Sequence, residues 1–232
     1  MKRGVSNSVV QCSGILWLPP LCLCLLLLFF SSCTQDAYDK GEGPYSQMVA
    51  EMADGYTAAD KRVTHFVTDD EEHYTVAEPF TSRLMEKGDT VYRAVFYFNK
   101  RETGEADVVG LDRVGVIQPR KIDEMKTDPV KMESVWLAKS GRYLNLSLWL
   151  MTGAVDSQET IHMLGCRQDT LMEHSDGKRS LYLTLYHDQG DVPEYYSARA
   201  YFSIPLSEQN ADTITLRINT YDGEKKRKFC LR

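Results

Sequence analysis

Apolar and polar residues alternate with a period of two along most of the chain. From Tyr143 to Met151, Leu144, Leu146, Leu148 and Leu150 share one face, opposite Asn145, Ser147 and Trp149. Successive side chains of an extended backbone point to opposite faces, so this stretch predicts a strand with one buried side. Leu181, Leu183 and Leu185 alternate with Tyr182, Thr184 and Tyr186. Ile214, Leu216 and Ile218 alternate with Thr215, Arg217 and Asn219. Each reads as an antiparallel strand. Asp69-Asp70, Lys87-Gly88, Ser140-Gly141, Asp176-Gly177 and Asp222-Gly223 supply residues that tolerate the positive φ of hairpin turns. No helix is evident, and only Ser46 to Tyr56 is ambiguous. There Met48 with Met52 and Val49 with Ala53 suit a helix, while Met48, Ala50 and Met52 suit a strand.

The alternation breaks between Gln118 and Val130, where Pro119, the charged run Arg120 to Glu124 and Lys126-Thr127-Asp128-Pro129 intervene. The expected organisation is all-β, with residues 46–118 as a small barrel, 119–129 as a linker and 130–232 as an immunoglobulin-like β-sandwich. The sandwich strands are expected at Glu133 to Ala138, Arg142 to Met151, Ile161 to Cys166, Arg179 to Tyr186, Tyr195 to Ile204, Thr213 to Tyr221 and Lys225 to Leu231.

Ahead of the β region the pattern changes. Lys2 and Arg3 precede an unbroken apolar run from Leu21 to Phe30, and Phe30-Ser31-Ser32-Cys33 follows. The quartet resembles the bacterial lipoprotein box, with Phe30 where Leu is usual. It implies removal of residues 1–32 as a signal peptide and a palmitate-type acyl anchor on Cys33. Cys12, Cys22 and Cys24 lack a small residue just before them. The rival is a retained membrane span, but Ile15 to Phe30 is shorter than the roughly 20 residues that a span needs and is broken by Pro19 and Pro20. Residues 33–45, with Gly41, Gly43 and Pro44, then read as a flexible tether in the cell envelope.

Losing Lys2 and Arg3 leaves 25 basic against 33 acidic residues, a net charge of −8. That excess opposes nucleic acid and anionic lipid surfaces as partners. Beyond Cys33 only Cys166 and Cys230 remain, too few for a disulfide scaffold and lacking metal-site spacing. Cys230 alternates with Phe229 and Leu231, which claim the buried side, so no Cys166–Cys230 bridge is expected.

The chain carries Cys33-Thr34-Gln35-Asp36, Tyr92-Arg93-Ala94, Met125 to Val130, Leu185-Tyr186-His187-Asp188-Gln189-Gly190, Pro193-Glu194-Tyr195-Tyr196 and Asn219-Thr220-Tyr221. In these motifs it resembles the NigD-like lipoproteins of Bacteroides-type bacteria. It implies a strand at the ambiguous Ser46 segment, an N-terminal OB-like domain and a C-terminal β-sandwich. The family's name derives from a bacteriocin-associated gene cluster, and the resemblance carries over no active site. Fold alone does not bring the oligonucleotide function of other OB domains.

His187, Asp188, Asp191 and Glu194 form the densest group of ligand-type side chains. An imidazole with carboxylates suits a metal or acid–base chemistry, as in a hydrolase. The preferred reading is an ordered loop, turned at Gly190 and ended at Pro193, with no metal, cofactor or catalytic residue. Tyr195 or Tyr196 would then return a hydroxyl to that loop in the manner of a tyrosine corner, making a structural latch. Lys225 to Lys228 is a basic run that suits an edge strand guarded against pairing, with anion binding as the rival. Tyr92, Phe96 and Phe98 share one face of a strand, opposite Val91, Arg93, Val95 and Tyr97. The aromatic set suits core packing, with a glycan or peptide groove as the alternative. Thr90, Thr170 and Thr213 sit in Asp-Thr-apolar triplets resembling the O-glycosylation acceptors of Bacteroides-type bacteria. The functional expectation is a non-enzymatic binding or accessory module, lipid-anchored at the outer membrane, for an unknown protein or glycan. A bacteriocin-associated accessory or immunity protein is the alternative.

Overall fold

The structure, a computed structural model, describes residues 47–153 and 161–231. The signal peptide expected at 1–32, Cys33 and the tether expected at 33–45 lie outside the described residues. No helix occurs among the described residues; the ambiguous Ser46 segment supplies the first strand.

Five strands build the first half: β1 (Val49–Thr57), β2 (Val63–Thr68), β3 (His73–Phe80), β4 (Val91–Lys100) and β5 (Glu105–Val116). They pair in the order β3-β2-β1-β4-β5, and β3 meets β5 in parallel at Thr75↔Glu105 and Val76↔Ala106. The row therefore closes on itself, a topology compatible with an OB-like barrel. Its interior holds Phe66, Phe96 and Phe98, all fully buried. Phe66 stacks on Phe96 with centroids 4.4 Å apart and meets the edge of Phe98 at 4.9 Å. Phe96 and Phe98 are thus core residues, and Tyr92 packs at the margin of the same cluster.

The second half adds β6 (Pro119–Arg120), β7 (Lys131–Leu137), β8 (Tyr143–Thr152), β9 (Met163–Glu173), β10 (Arg179–Asp188), β11 (Tyr196–Pro205), β12 (Thr213–Thr220) and β13 (Gly223–Cys230). β11, β8 and β7 extend the barrel's sheet into one of eight strands, β3-β2-β1-β4-β5-β11-β8-β7. The other five form a second sheet, β13-β12-β10-β9-β6. Leu144, Leu146 and Leu148 of one sheet meet Leu181, Leu183, Ile214 and Leu216 of the other in a fully buried core. The leucine stripes read from the sequence are the inner faces of this sandwich.

One expectation holds in part. β10 and β12 each have an antiparallel partner, β9 and β13, but pair with each other in parallel, with Leu181↔Ile214 and Leu183↔Leu216 in register. β11, which intervenes in the chain, belongs to the opposite sheet, so the chain crosses over and returns in the same direction. β9 also outruns its expected end at Cys166, continuing to Glu173 as one arm of a hairpin turned at Gly177, φ +79°. Cys166 lies fully buried in the core, while Cys230 is exposed on β13. β12 and β10 stand between β13 and β9. Such a separation leaves the two thiols too far apart to bridge.

Candidate functional site

The sequence-predicted cluster sits where β10 ends. His187 is 1% and Asp188 4% exposed. Both grip the segment 126–128. His187 N–H donates to Lys126 C=O, Asp128 N–H donates to His187 C=O, and Thr127 bridges His187 in parallel. The Lys126 ammonium reaches Asp188 Oδ2 at 2.7 Å, while Gly190 N–H donates to Asp188 Oδ1 at 2.9 Å. Gln189 N–H donates to the Asp128 carboxylate at 2.7 Å. These contacts hold the Asp188 carboxyl below its ordinary range, Lys126 contributing most.

The imidazole of His187 has a defined role. Asp128 C=O can only accept, so Nδ1 of His187 carries the hydrogen directed at it over 3.0 Å. In the neutral ring Nε2 then accepts from Nδ1 of His162 at 3.1 Å, and the two rings stack with centroids 5.3 Å apart. Burial, then the neighbouring His187, pushes the His162 imidazole below its usual pKa. Asp191 and Glu194 point to solvent, and no group of three metal-ligand side chains gathers among the described residues. The tyrosine corner expected of Tyr195 or Tyr196 is not formed. The two residues are 76% and 56% exposed, and neither hydroxyl makes a hydrogen bond among the described residues. What fastens this loop is the His187-Asp188-Gln189 peptide with its two side-chain anchors.

A second polar group went unseen in the sequence. The Arg93 guanidinium, on the outer face of β4, is 2% exposed. It donates to Asp69 at 2.7 and 2.6 Å, Asn145 at 3.2 Å and Ser203 at 3.1 Å, and approaches Asp54 at 3.4 Å. It lies 4.1 Å from the centroid of Tyr143, and Arg142 adds a bond to Asp54 at 2.8 Å. Asp54, Asp69 and Arg93 come from the barrel half; Arg142, Tyr143, Asn145 and Ser203 come from the sandwich half. Beside this hub, Met52, Val95 and Val114 pack with Tyr97, Trp136 and Tyr201. The long sheet thus folds its outer face upon itself and is sealed at that fold.

Away from the seal the outer faces part into a groove of about 430 Å³, whose walls include Tyr97, Asp112, Arg113, Arg199 and Tyr201. The Tyr97 hydroxyl donates to Asp112 at 2.7 Å, and burial with that carboxylate pushes the phenol up to about 12. On the other lip Arg199 lies 4.8 Å from the centroid of Trp149 and bonds Glu133 at 2.7 Å. The Ser147 hydroxyl also donates to Glu133, and together with Arg199 it holds that carboxyl below its ordinary range. Half-buried aromatic rings beside fixed charges can bind a ligand by stacking and directed hydrogen bonds. The only sequence signal was that Tyr97 and Arg93 share a face opposite the barrel core.

Of the acceptor threonines, Thr170 is exposed. Thr90 donates its hydroxyl to Gly88 C=O at 2.8 Å and Thr213 donates to Ser180 Oγ at 2.9 Å. The Lys225 to Lys228 run lies on β13, an edge strand.

Fold and site together define an all-β protein in which one long sheet serves both a closed barrel and a sandwich. The family model of the NigD-like C-terminal beta sandwich domain matches residues 113–231, more than half of the chain, and the chain belongs to that family. Among solved structures it is similar to a NigD-like immunity protein of Bacteroides caccae ATCC 43185. The two are 22% identical with a TM-score of 0.60, covering 79% of this chain and 97% of the other. A Bacteroides vulgatus ATCC 8482 protein of unknown function gives 17% identity and a TM-score of 0.57, covering 80% and 91%. A provisionally named lipoprotein of Bacteroides fragilis NCTC 9343 gives 12% and 0.56, covering 80% and 99%. At these identities the likeness concerns the fold. No curated protein matches.

Proposed function

We propose that the protein is a non-enzymatic cell-envelope lipoprotein, anchored through Cys33, that holds a protein or glycan partner in the groove between Tyr97 and Arg199. The observation carrying this reading is that groove: aromatic rings and charged side chains from β4, β5 and β11 converge on an open surface at the end of a sealed, buried seam. The His187 loop serves as a latch, because its polar atoms are directed into the linker segment rather than toward an open cleft. Residues 46–118 and 130–232 act as a barrel and a sandwich domain locked in one orientation by Arg93.

Affinity capture of the intact protein from native membranes tests the binding role. Wild type should retain a partner that Tyr97→Ala with Arg199→Ala loses, both proteins melting alike; equal retention would refute the groove. Fatty-acid-analogue labelling should mark wild type and spare Cys33→Ala. A second reading, an immunity or accessory factor in bacteriocin defence, is favoured by the name of the Bacteroides caccae structure. Deleting the gene should then sensitise its host to a bacteriocin encoded nearby.

A further inference from the structure

The groove ends in a fork between two parallel strands. β5 and β11 pair only at Tyr201↔Val114, Phe202↔Gly115 and Ser203↔Val116. At the vertex a side chain on Gly115 would meet the Phe202 ring at 2.6 Å, so only glycine lets the strands meet there. Ahead of the vertex each strand is held on its far side alone: Asp112 and Arg113 by Val95 and Ala94 of β4, Arg199 and Ala200 by Trp149 and Leu148 of β8. Their near edges separate around the groove.

Backbone direction decides what the fork offers. Ile117 N–H donates to Ser203 C=O at 2.9 Å, so Ser203 turns its peptide groups toward β5. Peptide direction alternates along a strand, so Tyr201 and Arg199 turn theirs the same way. Tyr201 stands on the last rung of the ladder. Arg199 lies two residues beyond it, with its N–H and C=O facing the fork. A strand edge with open donors and acceptors is a template for an added strand. The side chains specify more. Arg113 is exposed with no ion pair among the described residues, whereas Arg199 is engaged by Glu133. Tyr97 and Tyr201 present ring surface alongside.

Resting on the binding role argued above, we infer that the occupant is an extended peptide segment of a partner protein, laid as an added strand along Arg199 of β11. It carries an acidic side chain for Arg113 and an apolar one for Tyr97 and Tyr201. Main-chain bonds supply the affinity, and the guanidinium with the two phenol rings selects the sequence.

The test pans a phage-displayed library of random linear dodecapeptides on the purified protein and measures the selected peptides by fluorescence polarisation. Binders should carry Asp or Glu. They should weaken about tenfold on Arg113→Glu. Replacing the peptide's acid by Lys should restore affinity for that variant. N-methylation along the peptide should cost about tenfold at alternate positions, where N–H faces the fork, and little between them. A flat N-methylation profile among peptides that still need Tyr97 and Arg113 would overturn strand addition while leaving the groove reading intact. Binders indifferent to Tyr97→Ala and Arg113→Glu would overturn both. A library without groove-dependent binders, or Tyr97-dependent binding of envelope polysaccharide instead, would overturn the peptide occupant.

Discussion

Replacing Arg93 by Met keeps most of the side chain's volume and removes its charge from the seam. The loss follows from what stays behind. Asp54 and Asp69 remain, with side chains 3% and 12% exposed. Asp54 keeps Arg142 at 2.8 Å and so stays compensated. Asp69 keeps only the neutral Asn145 amide, at 2.6 Å, in place of a guanidinium at 2.6 Å. Ser203 and Asn145 also lose a donor each. Breaking a buried ion pair from one side costs about 3–5 kcal/mol, and one surviving cation argues for the lower end, about 3 kcal/mol. Urea unfolding followed by far-ultraviolet dichroism should show a lower midpoint at unchanged slope. In a chain of this size the melting temperature should fall by about 6–12 °C. Arg93→Met with Asp69→Asn should recover much of the loss, since no unpaired carboxylate then remains. A single variant within about 1 kcal/mol of wild type would refute the reasoning, because the hub would then be open to water.

Four further outcomes are expected. Asp188→Asn should lower the melting temperature at neutral pH. Because the folded carboxyl titrates below its ordinary 3.8, the gap to wild type should close as pH falls through that depressed value; a gap independent of pH would contradict the Lys126 pairing. His162 titrates below 6.5 in the folded protein, so its stabilising contribution is complete above that value and lost as pH falls. His162→Gln should therefore show a flatter acid limb in melting curves between about pH 7 and 5, and equal slopes would count against the depressed His162. Alkylation without reductant should label Cys230 in the native protein and add Cys166 only on denaturation, since burial pushes the Cys166 thiol up to about 12. If the Asp-Thr-apolar triplets are glycosylated, intact mass should exceed that of the acylated chain. The excess should vanish with Thr170→Ala, since Thr170 is the exposed one.

The sandwich was readable because its leucine stripes repeat every second residue and each stripe has only one face to bury. The all-β class and the core role of Phe96 and Phe98 followed from the same rule. Alternation states which face a residue occupies; it does not state which strand lies next. That is why the parallel pairing of β10 with β12 was not legible: their relative direction depends on β11 leaving for the opposite sheet, a choice that no period within β10 encodes. Arg93 shows the limit most sharply. Its face was assigned correctly, opposite Phe96 and Phe98, yet a polar face on a strand ordinarily meets water. Here the sheet bends so far that the face meets Ser203 and Asn145 instead, partners 110 and 52 residues away. The His187 loop shows another limit. An ordered loop turned at Gly190 was the preferred reading, but what its side chains hold was not legible: His187 and Asp188 anchor residues 126–128, 59 and 62 residues back along the chain, while the exposed tyrosines beside them fasten nothing among the described residues. The groove inherits this limit. Tyr97 and Arg199 are ordinary strand residues in the sequence and come to line an open groove only because β5 and β11 part beyond three rungs.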